Sequence, residues 1–444
     1  MGALAVLSVC LFNGFPLVYS DTGTYLRSAF TGYVPDDRPY WYGLFVQFTS
    51  FNGTTLWGVV AAQALLCSTL LWRCWRVFGD GRAWTFLLTI TILAPLTGLG
   101  WYAGQLVADI FSVIGVLAGL LFLLAPARRY ERIAWAALMV IACWVHLSNL
   151  LILPLVLGAV VIARKMAKEP TPFRRTIAAA AILIAAWPGL MLANKAVSGE
   201  AYVSRYSHVF LMSRLAETGI LHTWIAEHCP DARYGICQFA DSIPTTNKAF
   251  MWGDRSPLRW QGGPKAVKDE YQAIINSTLG EPRYIGLHIA GSLRSTWDLL
   301  QLWRVADELE GTFYRQDYSA PYISLHEFLP GQLDAFLRSA QNTGEGKLGL
   351  ARIDPVYQVI MGLSLLATLV LMIHPGYRHR CYVPLTVGLV TMLAGAWVCA
   401  TLSTVDSRFM ARTAWLLPWM VAMLAWTLTA HRNVTGPEVA KKVD

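Results

Sequence analysis

A single carboxylate, Asp21, directly follows the first apolar stretch of the chain, residues 1–18, which carries no charged side chain. A carboxylate at the edge of a membrane is costly unless it caps a helix, faces water or pairs with a cation. Two interpretations stay open. Either Ser20 or Asp21 caps a short helix over residues 22–30, or Asp21 faces a cavity at the membrane surface and removes a proton from a substrate hydroxyl as a general base.

Two arginines near the carboxyl end, Arg408 and Arg412, are four residues apart and would share one face of a helix. Guanidinium groups at the edge of a membrane need to reach water, pair with acids such as Asp406, or bind an anion such as a lipid phosphate. Lys195, at the end of another apolar run, is placed to join them. Phosphate binding is therefore one candidate role for these three cations.

Three polar residues stand inside apolar sequence: Asp109, His146 and Asn149. An ionisable residue within a span is a candidate functional residue, although pairing with an arginine or helix capping accounts equally well for Asp109. His146 and Asn149 are one helical turn apart and can face the same side. We take the three as candidates to line a cavity, with a hydrogen-bonded structural role as the main alternative for His146.

The composition is that of a membrane protein. Of the 444 residues, 55% are hydrophobic and 14% are charged, and the mean hydropathy is +0.43; soluble domains have roughly 25% charged residues. Apolar runs of the length that a spanning helix needs recur along the chain. We therefore predict an all-α polytopic membrane protein. The excess of 36 basic over 28 acidic residues does not indicate nucleic acid, because cytoplasmic loops collect basic residues, and no nucleic-acid partner is predicted.

The apolar runs predict about ten transmembrane helices. The first run lacks the basic start and the small-residue cleavage site of a secretory signal, so we interpret it as a retained first helix. The spans lie near residues 1–19, 55–77, 84–101, 105–125, 133–146, 149–163, 176–197, 353–373, 382–402 and 411–430. Basic clusters between them fall on one side, which predicts that both termini are cytoplasmic. These clusters are Arg73, Arg76 and Arg82; Arg128, Arg129 and Arg132; Arg164, Lys165, Lys168, Arg174 and Arg175; Arg378 and Arg380; and Arg432, Lys441 and Lys442.

Residues 134–163 are too many for one span and few for two. Because basic residues flank both ends, the segment must enter the membrane and return. Each leg would be about 20 Å long against a hydrocarbon thickness of about 30 Å. His146 and Asn149 would then lie at a tip below the outer surface, which needs a cavity or a protein cover.

This topology divides the chain into three parts. Residues 1–197 hold spans one to seven and a first outer loop, residues 20–54, with two interfacial helices; Asp36 and Asp37 are assigned to the turn between them. Residues 198–352 form a mostly helical outer domain inserted between spans seven and eight. Residues 353–444 hold spans eight to ten and a cytoplasmic tail.

Cys229 and Cys237 are the two cysteines outside the predicted spans and their cytoplasmic flanks. An oxidising exterior favours a disulfide between them. Two free thiols are one alternative; a zinc site with His228 is another, but no second ligand pair follows at a suitable spacing. No metal ligands are assigned. Walker A, GxSxG, HExxH and CxxC motifs are absent, which disfavours a nucleotide-driven pump, a serine hydrolase and a zinc protease.

Two stretches of the first outer loop, YSDTGTYL with Asp21 and DRPYWYGLF with Arg38, carry a family resemblance. They resemble the GT-C superfamily of integral-membrane glycosyltransferases, which includes the protein O-mannosyltransferases and the lipid A aminoarabinose transferases, and most of all its RgtA/B/C/D-like bacterial members. The resemblance covers the topology of most of the chain and, in sequence, residues 21–45. The chain departs from the pattern in having Thr22 where many relatives have a second acid, and in the position of its outer domain.

The resemblance implies a multi-pass protein of the bacterial inner membrane with its large loop in the periplasm. It would transfer a hexose or pentose, with inversion, from a polyprenyl-phosphate donor to a glycan, lipid or protein acceptor on the outer face. Asp21 would be the general base, and Arg38, Lys195, Arg408 and Arg412 would hold the donor phosphate. No cofactor is assigned with certainty, and a divalent metal stays open.

Two other functions are weighed against this one. A polymerase or ligase that uses a lipid-linked polysaccharide would bind a similar phosphate but has no need of the first-loop acid. A transporter or flippase would be expected to show inverted repeats and pairs of interrupted helices, and the sequence shows only the one short hairpin.

Overall fold

The computed structural model describes residues 1–229, 234–305, 309, 313–344, 346–374 and 378–434. Lys441 and Lys442, which the topology prediction used, lie outside this range. The described chain is helical, and its one β-type contact in that range is an isolated parallel bridge between Leu17 and Gln105.

The helices before the inserted region are α1 (Gly2–Val6), α2 (Ser8–Asn13), α3 (Ser20–Thr31), α4 (Trp41–Thr49), α5 (Trp57–Phe78), α6 (Ala83–Leu96), α7 (Gly98–Ala103), α8 (Phe111–Leu124), α9 (Arg129–Val145), α10 (Asn149–Met166) and α11 (Phe173–Ser198). A 3-10 turn, Ala108–Ile110, leads into α8.

The inserted region, residues 199–349, contains α12 (Ser207–Glu217), α13 (Ile220–His228), α14 (Asn247–Trp252), α15 (Pro257–Trp260), α16 (Lys268–Gly280), α17 (Pro282–Leu300), α18 (Ala320–Phe328), α19 (Pro330–Leu337) and α20 (Ala340–Thr343), with 3-10 turns at Gly235–Ser242 and Phe313–Arg315. The chain continues with α21 (Leu350–Ile373), α22 (Arg378–Leu402), α23 (Ser407–Ala414) and α24 (Leu416–Val434).

Six helical stretches within the described residues are long and apolar enough to cross a membrane. They are α5, α10, α11, α21, Cys381–Leu402 of α22, and Ser407–Ala430 across α23 and α24; Ala83–Leu96 and Ala108–Leu124 are shorter apolar helices. This confirms the prediction of an all-α polytopic membrane protein. The helix α8 is central, since its residues from Phe111 to Leu123 are all buried.

The prediction of one continuous helix over residues 1–19 is wrong. The first apolar stretch breaks at Leu7 and ends at Gly14, which has a left-handed φ of 76° and precedes Pro16, a residue without an N–H. The chain then runs extended, and Leu17 bonds to the backbone on both sides of Gln105. This extended segment carries the chain to Asp21 at a fixed position.

The hairpin predicted between residues 134 and 163 is present as α9 and α10, joined at residues 146–148. Its legs are longer than expected, because α9 has 17 residues and α10 has 18, or about 26 and 27 Å at 1.5 Å per residue. Both helices extend into the flanking basic sequence. The Asn149 amide donates to the carbonyl of Ala142 and closes the turn (2.8 Å).

The inserted region contributes to two hydrophobic cores. Side chains between Tyr206 and Tyr284 form a core of their own, whereas Leu299, Leu325 and Phe336 belong to the large core of the membrane helices. Cys229 and Cys237 form a disulfide with their Cα atoms 5.4 Å apart, which confirms the predicted bridge. The disulfide uses both thiols that a zinc site with His228 would need, and the His228 ring stacks on Trp224.

The helix α3 is held against α18 by a close backbone approach. A Cβ on Gly23 would lie 2.3 Å from the carbonyl oxygen of Ala320, so a side chain at this position would force the two helices apart. The Ser324 hydroxyl donates to the carbonyl of Gly23 (2.9 Å). The two helices thus fix the first turn of α3, which carries Asp21.

Candidate functional site

Asp21 lies in the first turn of α3 and is held by two arginines. Its Oδ1 is 2.6 Å from Nη1 of Arg38, an ion pair without an aligned hydrogen bond, and its Oδ2 accepts from Nη2 of Arg408 (2.8 Å). The N-cap residue of the helix is Tyr19, whose backbone N–H donates to the Thr22 hydroxyl, and Asp21 is the second residue within the helix. The capping interpretation of Asp21 is therefore wrong, and its side chain, 21% exposed, points to the arginines.

Asp109 is the second carboxylate of the site and is fully buried. It stands in the 3-10 turn before α8. Its Oδ2 accepts from Nε of Arg408 and its Oδ1 from Nη1 of Arg412, at 2.8 and 2.6 Å. Arg408 thus bridges Asp21 and Asp109. Of the alternatives for the two arginines, pairing with acids holds, but the acids are Asp21 and Asp109. Asp406 instead caps α23 by accepting from the Arg408 backbone N–H and pairs with Lys248.

Arg412 is also fully buried. Its two terminal nitrogens contact three further side chains, whereas its Nε has no hydrogen-bond partner among the described residues. It donates to Nε2 of His146 (2.5 Å), to Oγ of Ser148 (3.2 Å) and to Sγ of Cys399 (2.9 Å). Nε2 of His146 also lies 3.3 Å from Oδ1 of Asp109, and its Nδ1 faces Ser148 Oγ at 3.0 Å. The hairpin tip therefore supports Arg412.

Arg38 completes the group by pairing with Asp37 as well (2.6 Å). We name Asp21, Asp37, Asp109, Arg38, Arg408 and Arg412 the arginine–carboxylate cluster. Its three carboxylates and three guanidinium groups balance in charge. An anionic ligand can therefore bind the arginines favourably only if it takes the place of a carboxylate, since buried charge needs a counter-charge.

The electrostatics of Asp21 follow from this arrangement. Partial burial disfavours its charged form, but the neighbouring Arg38 and Arg408 outweigh that effect and lower the pKa of Asp21 to about 2. A carboxylate with such a pKa is a weak base. The same guanidinium groups that fix its position suppress its ability to accept a proton.

The structure brings most of the predicted site residues together. Six of them meet near the starts of α3, α8 and α23 and the end of α9: Asp21, Arg38, Asp109, His146, Arg408 and Arg412. Asn149 closes the hairpin beside them. Lys195 is not part of the group: its side chain is exposed near the end of α11, and no ion pair is found for it within the described chain.

Sequence reasoning missed four contributors. Asp37 was assigned to the turn alone, and Tyr19, whose ring lies under the Arg408 guanidinium at 4.4 Å, Ser148 and Cys399 were not considered as site residues. Tyr19 is two residues from Asp21, and Ser148 lies between His146 and Asn149. Their closeness to predicted site residues could therefore have been read from the sequence. Cys399 carries no such signal, because it comes from α22.

The donor set does not fit a divalent metal. Mg²⁺ and Ca²⁺ prefer several oxygen ligands, whereas oxygens of Asp21 and Asp109 already contact guanidinium groups. In the part of the chain that the structure describes, no group of three or more His, Cys, Asp and Glu side chains is arranged to hold a metal ion.

No protein-family model and no curated protein matches this chain. Among solved structures it matches ArnT from Cupriavidus metallidurans, in the apo state and bound to undecaprenyl phosphate. Sequence identity is 16% in both; the matches cover 99% and 100% of this chain and 79% of that chain, with TM-scores of 0.36 and 0.33. At these TM-scores the likeness supports no conclusion about the site.

The pairing pattern predicts unequal costs for neutralising the two acids. Asp109→Asn removes the one carboxylate paired with buried Arg412 among the described residues, and we expect it to destabilise the protein by about 3–5 kcal/mol. Asp21→Asn leaves Arg38 with Asp37 and Arg408 with Asp109, so the cost should be about 1 kcal/mol. Thermal unfolding in detergent measures both, with Asp254→Asn, at an exposed pair with Arg259, as the control. Equal losses of unfolding free energy in the two variants would contradict the assignment of Asp109 as the essential partner of Arg412.

Proposed function

We propose that this chain is a membrane glycosyltransferase that moves one sugar from a polyprenyl-phosphate donor to an acceptor on the outer face. The observation that carries the proposal is the carboxylate of Asp21 held between Arg38 and Arg408. The resemblance of residues 21–45 to the GT-C superfamily agrees with it. The reaction needs two kinds of group at one place, a cationic site for the phosphate and a base for the acceptor hydroxyl, and the cluster contains both.

The donor phosphate would bind to Arg38 and Arg408. Guanidinium groups suit phosphate oxygens, because their planar donors form paired, charge-assisted hydrogen bonds. In the structure the Asp21 carboxylate occupies these donors, with Oδ1 on Arg38 and Oδ2 on Arg408. Asp21 thus stands in for the phosphate, and binding of the donor would displace it.

Displacement would also convert Asp21 into a usable base. Once phosphate takes over the guanidinium donors, the cause of the low pKa of Asp21 is weakened, and the carboxylate regains basicity close to the place where the sugar is attached. The free acid would then lie beside the donor and accept the proton of an acceptor hydroxyl. The base is therefore formed only when the donor is bound.

The transfer itself would be a direct displacement. The acceptor oxygen loses its proton to Asp21 and forms a bond to the anomeric carbon. The bond between that carbon and the phosphate oxygen breaks on the opposite face, and its electron pair stays with the polyprenyl phosphate, so the anomeric configuration inverts. Arg38 and Arg408 would hold the charge that develops on the leaving phosphate.

Asp109 and Arg412 would keep the site in place during this exchange. Asp109 remains paired with both Arg408 and Arg412 when Asp21 leaves, so neither guanidinium loses all its counter-charge. We assign these two residues a positioning role. His146 and Ser148 hold Arg412 from the hairpin side.

The polyprenyl tail would lie in an apolar groove of about 770 Å³ between α8, α10 and α11. Its lining includes Pro154, Leu157, Gly158 and Trp187, and Pro154 is on α10, less than two turns from the hairpin tip. A volume of this size is in the range of sites for small organic ligands. The sugar, either a hexose or a pentose, and the acceptor, a glycan, lipid or protein, would be bound on the other side of the cluster.

The displacement mechanism predicts that Asp21→Asn has opposite effects on binding and turnover. Loss of the competing carboxylate should strengthen the binding of polyprenyl phosphate about tenfold, or ~1.4 kcal/mol. Loss of the base should lower kcat by about 10²- to 10⁴-fold. Binding is measured by calorimetry in detergent and turnover with radiolabelled sugar donor.

The matched control for this variant is Asp37→Asn, because Asp37 also pairs with Arg38 but is not the proposed base; it should retain turnover. Full turnover in Asp21→Asn would exclude the base and favour a polymerase or ligase that needs no such acid. Unchanged or weaker phosphate binding in Asp21→Asn would exclude the displacement.

A larger side chain in the groove should weaken binding of the donor without changing the rate of transfer. Gly158 is exposed to the groove and a Cβ there meets nothing within 4 Å, so Gly158→Leu should fit, preserve the helix and raise the KM for the donor with kcat unchanged. Gly362→Leu is the control, at an exposed and equally open position on α21. Equal donor KM values in the two variants would place the tail elsewhere.

A further inference from the structure

The helix α17 of the inserted region has an apolar exposed face. Ile285, Ile289, Leu293 and Trp297 recur every four residues and are 42%, 56%, 64% and 64% exposed. Leu287, also on the outside, is 42% exposed. Side chains at this spacing form one stripe along a helix, and large contiguous apolar patches on a protein surface mark an interaction site.

The preceding helix, α16, shows that this pattern is not general in the inserted region. Most of its exposed side chains are polar, with Lys268, Asp269, Gln272 and Asn276 on the outside, while Tyr271 and Ile274 are buried. Its exposed apolar side chains are the small Ala273 and, at the carboxyl end, Leu279. This is the pattern of a helix facing water. The two helices follow each other in the chain but face different surroundings.

Beside this stripe, α17 is joined to the end of α22. The Ser292 hydroxyl is 2.6 Å from that of Thr401 and accepts from the indole N–H of Trp397 (3.2 Å), and Arg214 donates to Ser295 (2.8 Å). Trp397 lies in the candidate span Cys381–Leu402 and is itself 45% exposed. The apolar face of α17 is therefore continuous with the outer surface of a membrane-spanning helix.

We propose that α17 lies in the surface of the bilayer, with the stripe from Ile285 to Trp297 in contact with lipid. Its occupant is the phospholipid bilayer because the stripe continues the surface of α22, which is long and apolar enough to cross a membrane. Tryptophan is favoured at the level of the headgroups, as at positions 297 and 397, and the exposed Arg294 can extend to lipid phosphates. A helix with one apolar and one polar side is suited to this location.

The contact would attach the inserted region to the membrane in addition to its two chain connections to the spans α11 and α21. It is linked to the cluster, since Thr401 precedes the loop that leads to Arg408, and Asn247 of the inserted region donates to the Ser403 carbonyl in that loop (3.0 Å). Lipid contact at α17 would thus help to orient the inserted region over the proposed active site. The proposal does not depend on the identity of the reaction.

Nitroxide labels on the full chain in phospholipid vesicles test the contact. Ile289→Cys and Leu293→Cys are the test positions. The lipid-facing control is Leu363→Cys, because Leu363 of the span α21 is 62% exposed. The water-facing control is Ala273→Cys, on the exposed polar face of α16. The six native cysteines outside the disulfide are buried, and labelling of the unsubstituted chain gives the background. Collision of each label with oxygen, which concentrates in lipid, is measured against collision with a water-soluble nickel complex.

We expect the labels at 289 and 293 to show the high ratio of oxygen to nickel collisions found at 363, well above the ratio at 273. A ratio equal to that at 273 would mean that α17 faces water and would overturn the proposal. Low collision rates with both reagents would also overturn it, because they would mean that protein, either a partner or a second copy of the chain, covers the stripe.

Discussion

The structure depends on the sharing of Arg408 between Asp21 and Asp109. A guanidinium group and a carboxylate that are removed from water must neutralise each other, because an unpaired buried charge costs several kcal/mol. This requirement joins positions that are 387 and 299 residues apart in the sequence. The start of α3, the start of α8 and the start of α23 must meet at one point for the charges to be satisfied.

The surrounding elements can be understood as supports for that meeting point. The break of the first apolar stretch at Gly14 and the extended segment around Leu17 set the start of α3, and Gly23 lets α18 press against it. The hairpin tip brings His146 and Ser148 to Arg412. The fully buried α8 gives Asp109 a rigid base. In the proposed mechanism the donor phosphate displaces the partly exposed Asp21 carboxylate and leaves the buried Asp109 in place.

Much of the candidate site could be predicted from local sequence. Asp21 was identified by its position directly after an apolar run, Arg408 and Arg412 by their spacing, and the hairpin by the basic residues at both ends. The disulfide followed from the compartment. In each case the signal lies within a few residues of the feature or in a simple rule of topology.

What could not be predicted depends on long-range contacts. Asp406 is closer to Arg408 in sequence than Asp109 is, yet it caps the helix, and the ion pair forms with the acid that packing brings near. Lys195 had the right charge and depth, but the direction of its side chain is set by the helix and not by composition. Gly14 and Pro16 indicate a break in the first apolar stretch, but the prediction of one continuous helix used hydropathy alone.

Whether the donor phosphate displaces Asp21 can be seen in a cryo-electron microscopy structure of the full chain in nanodiscs with a bound polyprenyl phosphate. Displacement predicts phosphate density between Arg38 and Arg408, the Asp21 carboxylate moved away from both, and Asp109 still paired with Arg408 and Arg412. Phosphate density at another place, with the contacts of Asp21 to both arginines intact, would contradict it.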